Sequence, residues 1–332
     1  MATGPATIAR LGAAIYPSLA MLAGMQLDVF TPLKDGPLPC SSVGQAIGVN
    51  PEKLRPLLYA LVQAGLLTVE AERFANTPES DRYLVRGRPA YLGGTHELYT
   101  DMWSAALGVG RSIRADAPQA RHDWSAMPDE ELAAIFRGLH GGALATGRQL
   151  AESEKLATFR HLLDVGGGSG GLAIAACQAC PDLRATVVEL PKVAAIARGF
   201  VGEAGLVDRV QVIADDVLQH PPAGSYDVAV FRNLIQVLSR DQARQALSNV
   251  GAKIEAGGAI YIVGHVLEDS RLAPANAVGI NLVFLSIYDG GQSHTEGEHR
   301  GWLAEAGFSQ VEVRYGAGPV GSTVIVARKQ PA

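Results

Sequence analysis

From His161 onward, apolar residues gather into short runs: His161–Val165, Ala185–Glu189, Val210–Ala214, Asp227–Phe231 and Ala259–Gly264. Stretches with helical spacing separate them. Strands alternating with helices in this way predict a parallel sheet with crossover helices. Two last runs, Gln310–Tyr315 and Thr323–Ala327, flank a Gly-Ala-Gly-Pro loop and are expected to pair antiparallel. Before them, Thr295 and Glu298 form a capping box for a helix that stops at Gly307. The expected fold here is an open α/β sheet.

Residues 1–95 follow a different rhythm, of short helices and a small hairpin. Ser41-Ser42 is expected to cap a helix running through Ile47. Asn50-Pro51 starts a second helix, with Leu54, Leu57, Leu58 and Leu61 at helical spacing and Gly65 as its stop. Leu66–Glu70 and Arg73–Asn76 then read as a strand pair around a polar turn. Helix, turn, helix and hairpin make a winged-helix pattern. The presumed recognition helix carries only Lys53 and Arg55, partly offset by Glu52, so a packing or dimer module is the expected role rather than DNA binding. Residues 96–157 read as a helical linker or lid whose aromatics, Tyr99, Trp103, Trp124 and Phe136, suit a core, and residues 158–332 form the sheet domain.

Composition narrows the partners. The 332 residues are 48% apolar and 18% charged, with a net charge of −5, which disfavours nucleic acid. Leu11–Leu27 is interrupted by Pro17 and diluted by polar residues, so it is expected to be an amphipathic helix in a core or subunit contact, not a membrane span. Three cysteines, Cys40, Cys177 and Cys180, build no disulfide framework and point to a reducing, cytoplasmic setting. Cys177-x-x-Cys180 lies late in its helix with no second Cys/His pair, so buried small residues are expected and no metal site.

Leu162-Leu163-Asp164-Val165-Gly166-Gly167-Gly168-Ser169-Gly170-Gly171 is a strand, a glycine-rich turn and a helix start. Such a turn lies at the carboxyl end of a strand, where open α/β sheets bind ligands. The spacing Gly166-x-Gly168-x-x-Gly171 also satisfies the dinucleotide fingerprint, so the turn alone decides little. Asp164 precedes the glycines, Glu189 ends the next strand and Asp216 ends the third. Three acids at successive strand ends, with no Arg or Lys in the turn, suit a cationic aminoacyl nucleoside better than a pyrophosphate. S-adenosylmethionine is the expected cofactor.

The succession LLDVGGGSG, VVELP, ADDVL, YDVAVFRNLIQVLS, AGGAIYIVGHVLED and LAEAGF resembles the class I O-methyltransferases of the caffeate and acetylserotonin type, along nearly the whole chain. That resemblance implies a Rossmann-like methyltransferase domain with an N-terminal helical winged-helix dimerisation domain, hence a homodimer acting on a small molecule. It implies that Gly166 and Gly168 line the methionine end of the cofactor and that Glu189 holds the ribose. Asp216 with Val217 frames the adenine, Arg232 lies against the cofactor, and Leu190 and Asp215 join the same set.

One departure matters. The family carries a His-Asp pair in a pattern like RNVLHDWS, whereas this chain reads Arg232-Asn233-Leu234-Ile235-Gln236-Val237-Leu238-Ser239. Gln236 takes no proton at physiological pH. The missing base makes the chain similar to the bacterial methylthiohydroxybutyrate S-methyltransferases of dimethylsulfoniopropionate synthesis, whose thioether nucleophile has no proton to lose. The expected reaction is therefore S-methylation of a thioether. The alternative is O-methylation of a hydroxylated aromatic or secondary metabolite, with His265 or water as base. Gln236 and His265 are the expected catalytic pair; Tyr99, Trp103, His140, Tyr288 and His294 are candidate substrate contacts, with Asp289 and Arg300 beside them. His294 and His299 also allow a plain surface reading.

Overall fold

The computed structural model describes residues 4–124 and 126–330. It divides into two compact units, one ending at Thr100 and the other beginning at Asp101.

In the first unit, α1 (Ala6–Ala13) and α2 (Ile15–Gln26) meet at Ala14, where one continuous helix is expected from sequence. Ile8, Leu11, Ile15, Tyr16 and Leu19 stay exposed along them. The stretch Ala6–Gln26 is long and apolar enough to cross a membrane by length and composition alone. After β1 (Leu38–Pro39) comes α3 (Cys40–Ile47), which starts one residue ahead of the expected Ser41-Ser42 cap. Pro39, extended at φ −69°, takes the N-cap position and makes no side-chain cap. Helix α4 (Pro51–Gln63) is capped by Asn50, whose side chain accepts from the Glu52 amide. Its Leu54, Leu58 and Leu61 are buried in this unit's core with Val29, Phe30 and Phe74. Strands β2 (Leu67–Glu70) and β3 (Arg73–Asn76) pair antiparallel as the wing, and β1 adds to β3. Arg55 is paired with Glu52 and Glu72, so its charge is largely spent within the fold. Helix α5 (Pro78–Tyr83) follows, and the division between the units falls within α6 (His96–Leu107).

The second unit holds α7 (Val109–Ala115), α8 (Asp129–Ser153), and then β4 (His161–Val165), α9 (Gly171–Ala179), β5 (Arg184–Glu189), α10 (Pro191–Glu203) and β6 (Val210–Ala214). It continues with β7 (Tyr226–Arg232), α11 (Arg240–Gly251), β8 (Ile254–Gly264), α12 (Ala275–Ile287), α13 (Glu296–Glu305), β9 (Phe308–Arg314) and β10 (Thr323–Lys329). The seven strands run in the order β6-β5-β4-β7-β8-β10-β9, the first five parallel and β10 antiparallel to both its neighbours. Alternate residues serve opposite faces: Leu162, Val187, Val228 and Val263 pack with α9, while Leu163, Val188, Ala229 and Ile262 pack with α11. Strand β8 begins five residues before the expected Ala259, because Glu255–Gly258 form an irregularity in its register with β7 rather than a turn. The chain goes to one side of β4 with β5 and to the other with β7. The Gly166–Gly170 turn therefore stands at the point where strand order reverses, the usual ligand crevice of such sheets.

The three cysteines are free and buried, Cys177 on α9 and Cys180 at its end, both among apolar residues of the core. Among the described residues, no group of three or more His, Cys, Asp or Glu is arranged to hold a metal ion.

Candidate functional site

The turn after β4 is shaped by glycine conformation. Gly166 and Gly168 both sit at φ +59°, where a side chain is strained, and a Cβ would lie 2.8 Å from Leu234 Cδ2 or 3.0 Å from Phe136 Cε1. Beneath the turn, Asp164 is fully buried; its Oδ2 accepts from the Ala173 amide at 3.3 Å, while its Oδ1 has no partner among the described residues. Burial pushes this carboxyl up to about 7, against the pull of the Ala173 amide and of Arg232. A buried acceptor without a donor, below a turn open to ligand approach, fits a cationic group that brings hydrogens of its own.

Beside the turn lies a cavity of about 420 Å³. Gly166, Glu189, Leu190, Asp215, Asp216 and Val217 form one part of its lining, at the ends of three adjacent strands. Glu189 accepts from the Leu190 amide at 3.0 Å; burial, with the charges of Asp164 and Asp216 adding to it, pushes it up to about 7. Asp215 accepts from the Asp216 amide at 2.8 Å, and Asp216 from the Leu218 amide at 2.9 Å, so both carboxylates are fixed by their own loop. Arg232 lies outside this lining: its Nε donates to Thr146 Oγ1 on α8 at 2.9 Å.

Much of the remaining wall comes from two segments outside the strand-end pattern. Arg121, His122, Asp123 and Trp124 line it from the α7–α8 connection, and Ile287, Tyr288, Asp289 and Gly290 from the end of α12. The two segments are joined: the Ala120 and His122 amides donate to the Ser286 and Ile287 carbonyls at 2.8 and 3.1 Å, and Arg121 pairs with Asp289. The His122 ring stands edge-on to Trp124 and to Tyr288, with centroids 5.1 and 6.1 Å apart. Burial and the nearby Asp101 push the Tyr288 phenol up to about 12, so it stays protonated.

The remaining candidates fall elsewhere. Gln236 is 6% exposed in a 3-10 turn, donates to Asn233 Oδ1 at 3.1 Å and does not line the cavity. His265 is also outside the lining, its Nδ1 buried without a partner among the described residues and its ring edge-on to Phe284. His140 bonds Ser169 Oγ at 2.8 Å and stacks on Phe200, bracing the glycine turn from α8. The surface reading of His294 and His299 is corrected: both are buried, one bonded to the Leu238 carbonyl and the other to the Thr295 carbonyl. Tyr99 packs against the core of the first unit, Trp103 sits on α6 outside the lining, and Arg300 is bound to Glu296 and the Val311 carbonyl. Trp124, by contrast, lines the cavity instead of only filling a core.

Residues 97–309 match the family model of the O-methyltransferase domain, and residues 10–86 that of the O-methyltransferase dimerisation domain. The chain is 29% identical to the tetracenomycin polyketide synthesis 8-O-methyltransferase TcmO of Streptomyces glaucescens, over 98% of this chain and 97% of that one. It is 30% identical to the acetylserotonin O-methyltransferase of Mus musculus molossinus, over 91% and 83% of the two chains. Among solved structures it is similar to the S-adenosylmethionine-dependent methyltransferase SibL, with a TM-score of 0.76 and 25% identity over 96% of this chain and 99% of that one. Acids at successive strand ends, a buried carboxyl beneath the glycine turn and a family match over most of the length converge: the chain belongs to the O-methyltransferase family and is an S-adenosylmethionine-dependent methyltransferase with an O-methyltransferase dimerisation domain.

Proposed function

We propose that the protein methylates a hydroxyl group of an aromatic secondary metabolite. The observation that carries this reading is the composition of the cavity, which joins the nucleoside-holding acids to an aromatic wall of His122, Trp124 and Tyr288. Relatives that match along nearly the whole chain are named for O-methylation in tetracenomycin polyketide synthesis and of acetylserotonin, which favours this reading over the thioether expected from Gln236.

When bound, S-adenosylmethionine supplies an electrophilic methyl on a positively charged sulfur. In this reading Glu189 would hold ribose hydroxyls, Asp216 and Val217 would frame the adenine, and Asp164 would favour the cationic end through the turn, a reading supported by their positions at and below the cavity. Trp124 and Tyr288 offer faces and edges to a planar ring, and the Tyr288 phenol, kept protonated, donates to a polar substituent. Holding acceptor and donor together in one walled cavity removes the entropic cost of their encounter. The exposed apolar edge of α1 and α2 lies in the dimerisation match, which supports a homodimer rather than a membrane anchor, and three buried free thiols suit a cytoplasmic enzyme.

Purified protein incubated with S-adenosylmethionine and a panel of phenols, naphthols and polyketide-derived hydroxyarenes, beside 4-methylthio-2-hydroxybutyrate, tests the reading. Methyl ethers and S-adenosylhomocysteine are expected from members of the aromatic panel. Sulfonium formation from the thioether with no turnover of any hydroxyl overturns it.

A further inference from the structure

We infer that His122, oriented by Asp101, is the catalytic residue that takes the proton from the acceptor hydroxyl. This rests on the reading of the reaction as O-methyl transfer, and it assigns a base where Gln236 provides none.

A phenolic hydroxyl, with a pKa of about 10, keeps its proton at neutral pH, and a positioned base typically adds ~10²–10⁴ in rate. The lining offers few candidates. Glu189, Asp215 and Asp216 belong to the nucleoside side and accept from backbone amides. Asp289 carries the charge of Arg121, Asp123 accepts from the Ala126 amide at 3.1 Å, and Tyr288 stays protonated. His122 is the one imidazole among the described lining residues.

Its setting is that of an oriented base. The Asp101 carboxylate lies 3.0 Å from Nε2, which places the proton on that nitrogen and leaves the lone pair on Nδ1. Nδ1 is buried and has no hydrogen-bond partner among the described residues. The backbone of His122 is pinned to Ile287, and Trp124 and Tyr288 confine the ring. Nucleophile, base and orienting carboxylate is the arrangement that hydroxyl activation requires. His265 has an unpartnered Nδ1 as well, but no carboxylate and no place in the lining.

As the hydroxyl proton passes to Nδ1, the oxygen lone pair forms the new O–CH3 bond and the S–CH3 bond breaks with its electrons left on sulfur. The imidazolium is balanced by Asp101 and returns its proton to water as the product leaves. Asp101, Asp123, Tyr288 and the Arg121–Asp289 pair are the charged or titratable groups on the segments that carry and flank the ring.

The test compares wild type, His122→Gln, Asp101→Asn and His265→Gln on a series of ring-substituted phenols of graded acidity. His122→Gln is expected to lower kcat by about 10²–10⁴ on ordinary phenols, abolish the acid limb of the pH–rate profile, and lose little on nitrophenols already ionised at the assay pH. Its S-adenosylmethionine affinity, read by calorimetry, stays at the wild-type level. In wild-type protein, 15N NMR should show the His122 ring protonated at Nε2 and bare at Nδ1, and Asp101→Asn should disturb that preference while His265→Gln does not. A His122→Gln rate within threefold of wild type on an ordinary phenol, or an equal loss on acidic and ordinary phenols, overturns the assignment. If wild type methylates no hydroxyl at all, the parent reading fails and this one with it, a result told apart by its appearing before any variant is made.

Discussion

Gly147 on α8 sits so close to Leu172 on α9 that a methyl group on it would lie 2.4 Å from the Leu172 carbonyl oxygen. The two helices share this contact just behind the glycine turn, and α9 carries both Ala173, which donates to Asp164, and the N-terminus that faces the ligand crevice. Since the obstruction is backbone and not a flexible side chain, Gly147→Ala must push the helices apart. Overpacking of this kind costs about 1–3 kcal/mol, so the variant's Tm is expected to fall by roughly 2–10 °C, with weaker S-adenosylmethionine binding in the same protein. Differential scanning fluorimetry with and without the nucleoside measures both.

Burial of Asp164 couples the stability of the fold to pH. Its carboxyl is raised from 3.8 to about 7 in the fold, so between those values the folded chain holds a proton that the unfolded chain has lost. The free protein should therefore lose stability as pH rises through that window, and Asp164→Asn should flatten the loss. The same variant should bind S-adenosylmethionine roughly tenfold or more weakly, since a charge-assisted contact is removed. Urea melts across pH, paired with calorimetry at pH 8, read the two effects separately.

His299 gives the opposite slope. It is fully buried, donates from Nδ1 to the Thr295 carbonyl, and burial lowers it from 6.5 to about 4. Below 6.5 the unfolded state takes up a proton that the folded state refuses until about 4, so stability falls with pH across that range by on the order of 3 kcal/mol. Chemical denaturation at a series of acidic pH values should show this loss, reduced in His299→Gln.

The Arg121–Asp289 pair joins the two segments of the aromatic wall, yet both side chains are more than half exposed, at 56% and 63%. Exposed pairs contribute about 0–1 kcal/mol, so Arg121→Ala should leave the Tm nearly unchanged. Its effect is expected on the acceptor's KM, raised several-fold with little change in kcat, as steady-state kinetics on the preferred phenol will show.

Much of the sheet is readable from the chain because chemistry and periodicity agree locally. His161–Val165 ends in glycines, Val210–Ala214 ends in two acids, and both strands have the expected bounds. Strand β1 is two residues long and exists only through its pairing with β3, which no local pattern announces. Strand β8 starts ahead of the expected Ala259 because Ile254 pairs with Tyr226, and the register shifts between that pair and Val228–Ala259, an irregularity equally unmarked by local pattern. The acids expected to hold a nucleoside, Glu189, Asp215 and Asp216, stand at strand ends, where a sequence pattern can mark them. The aromatic wall carries no such mark: His122 and Asp101 are 21 positions apart on a loop and a helix, and only the fold of the second unit brings them to 3.0 Å. Burial of His294 and His299 was equally hidden, since a histidine beside a charged helix looks solvated until the helix is packed.

Titration calorimetry with S-adenosylmethionine weighs the assignment of the nucleoside site most directly. Stoichiometric, saturable uptake by wild type is expected, weakened roughly tenfold or more by Glu189→Gln, with no uptake of NADH. Absence of heat with S-adenosylmethionine, or saturable binding of NADH, contradicts the account.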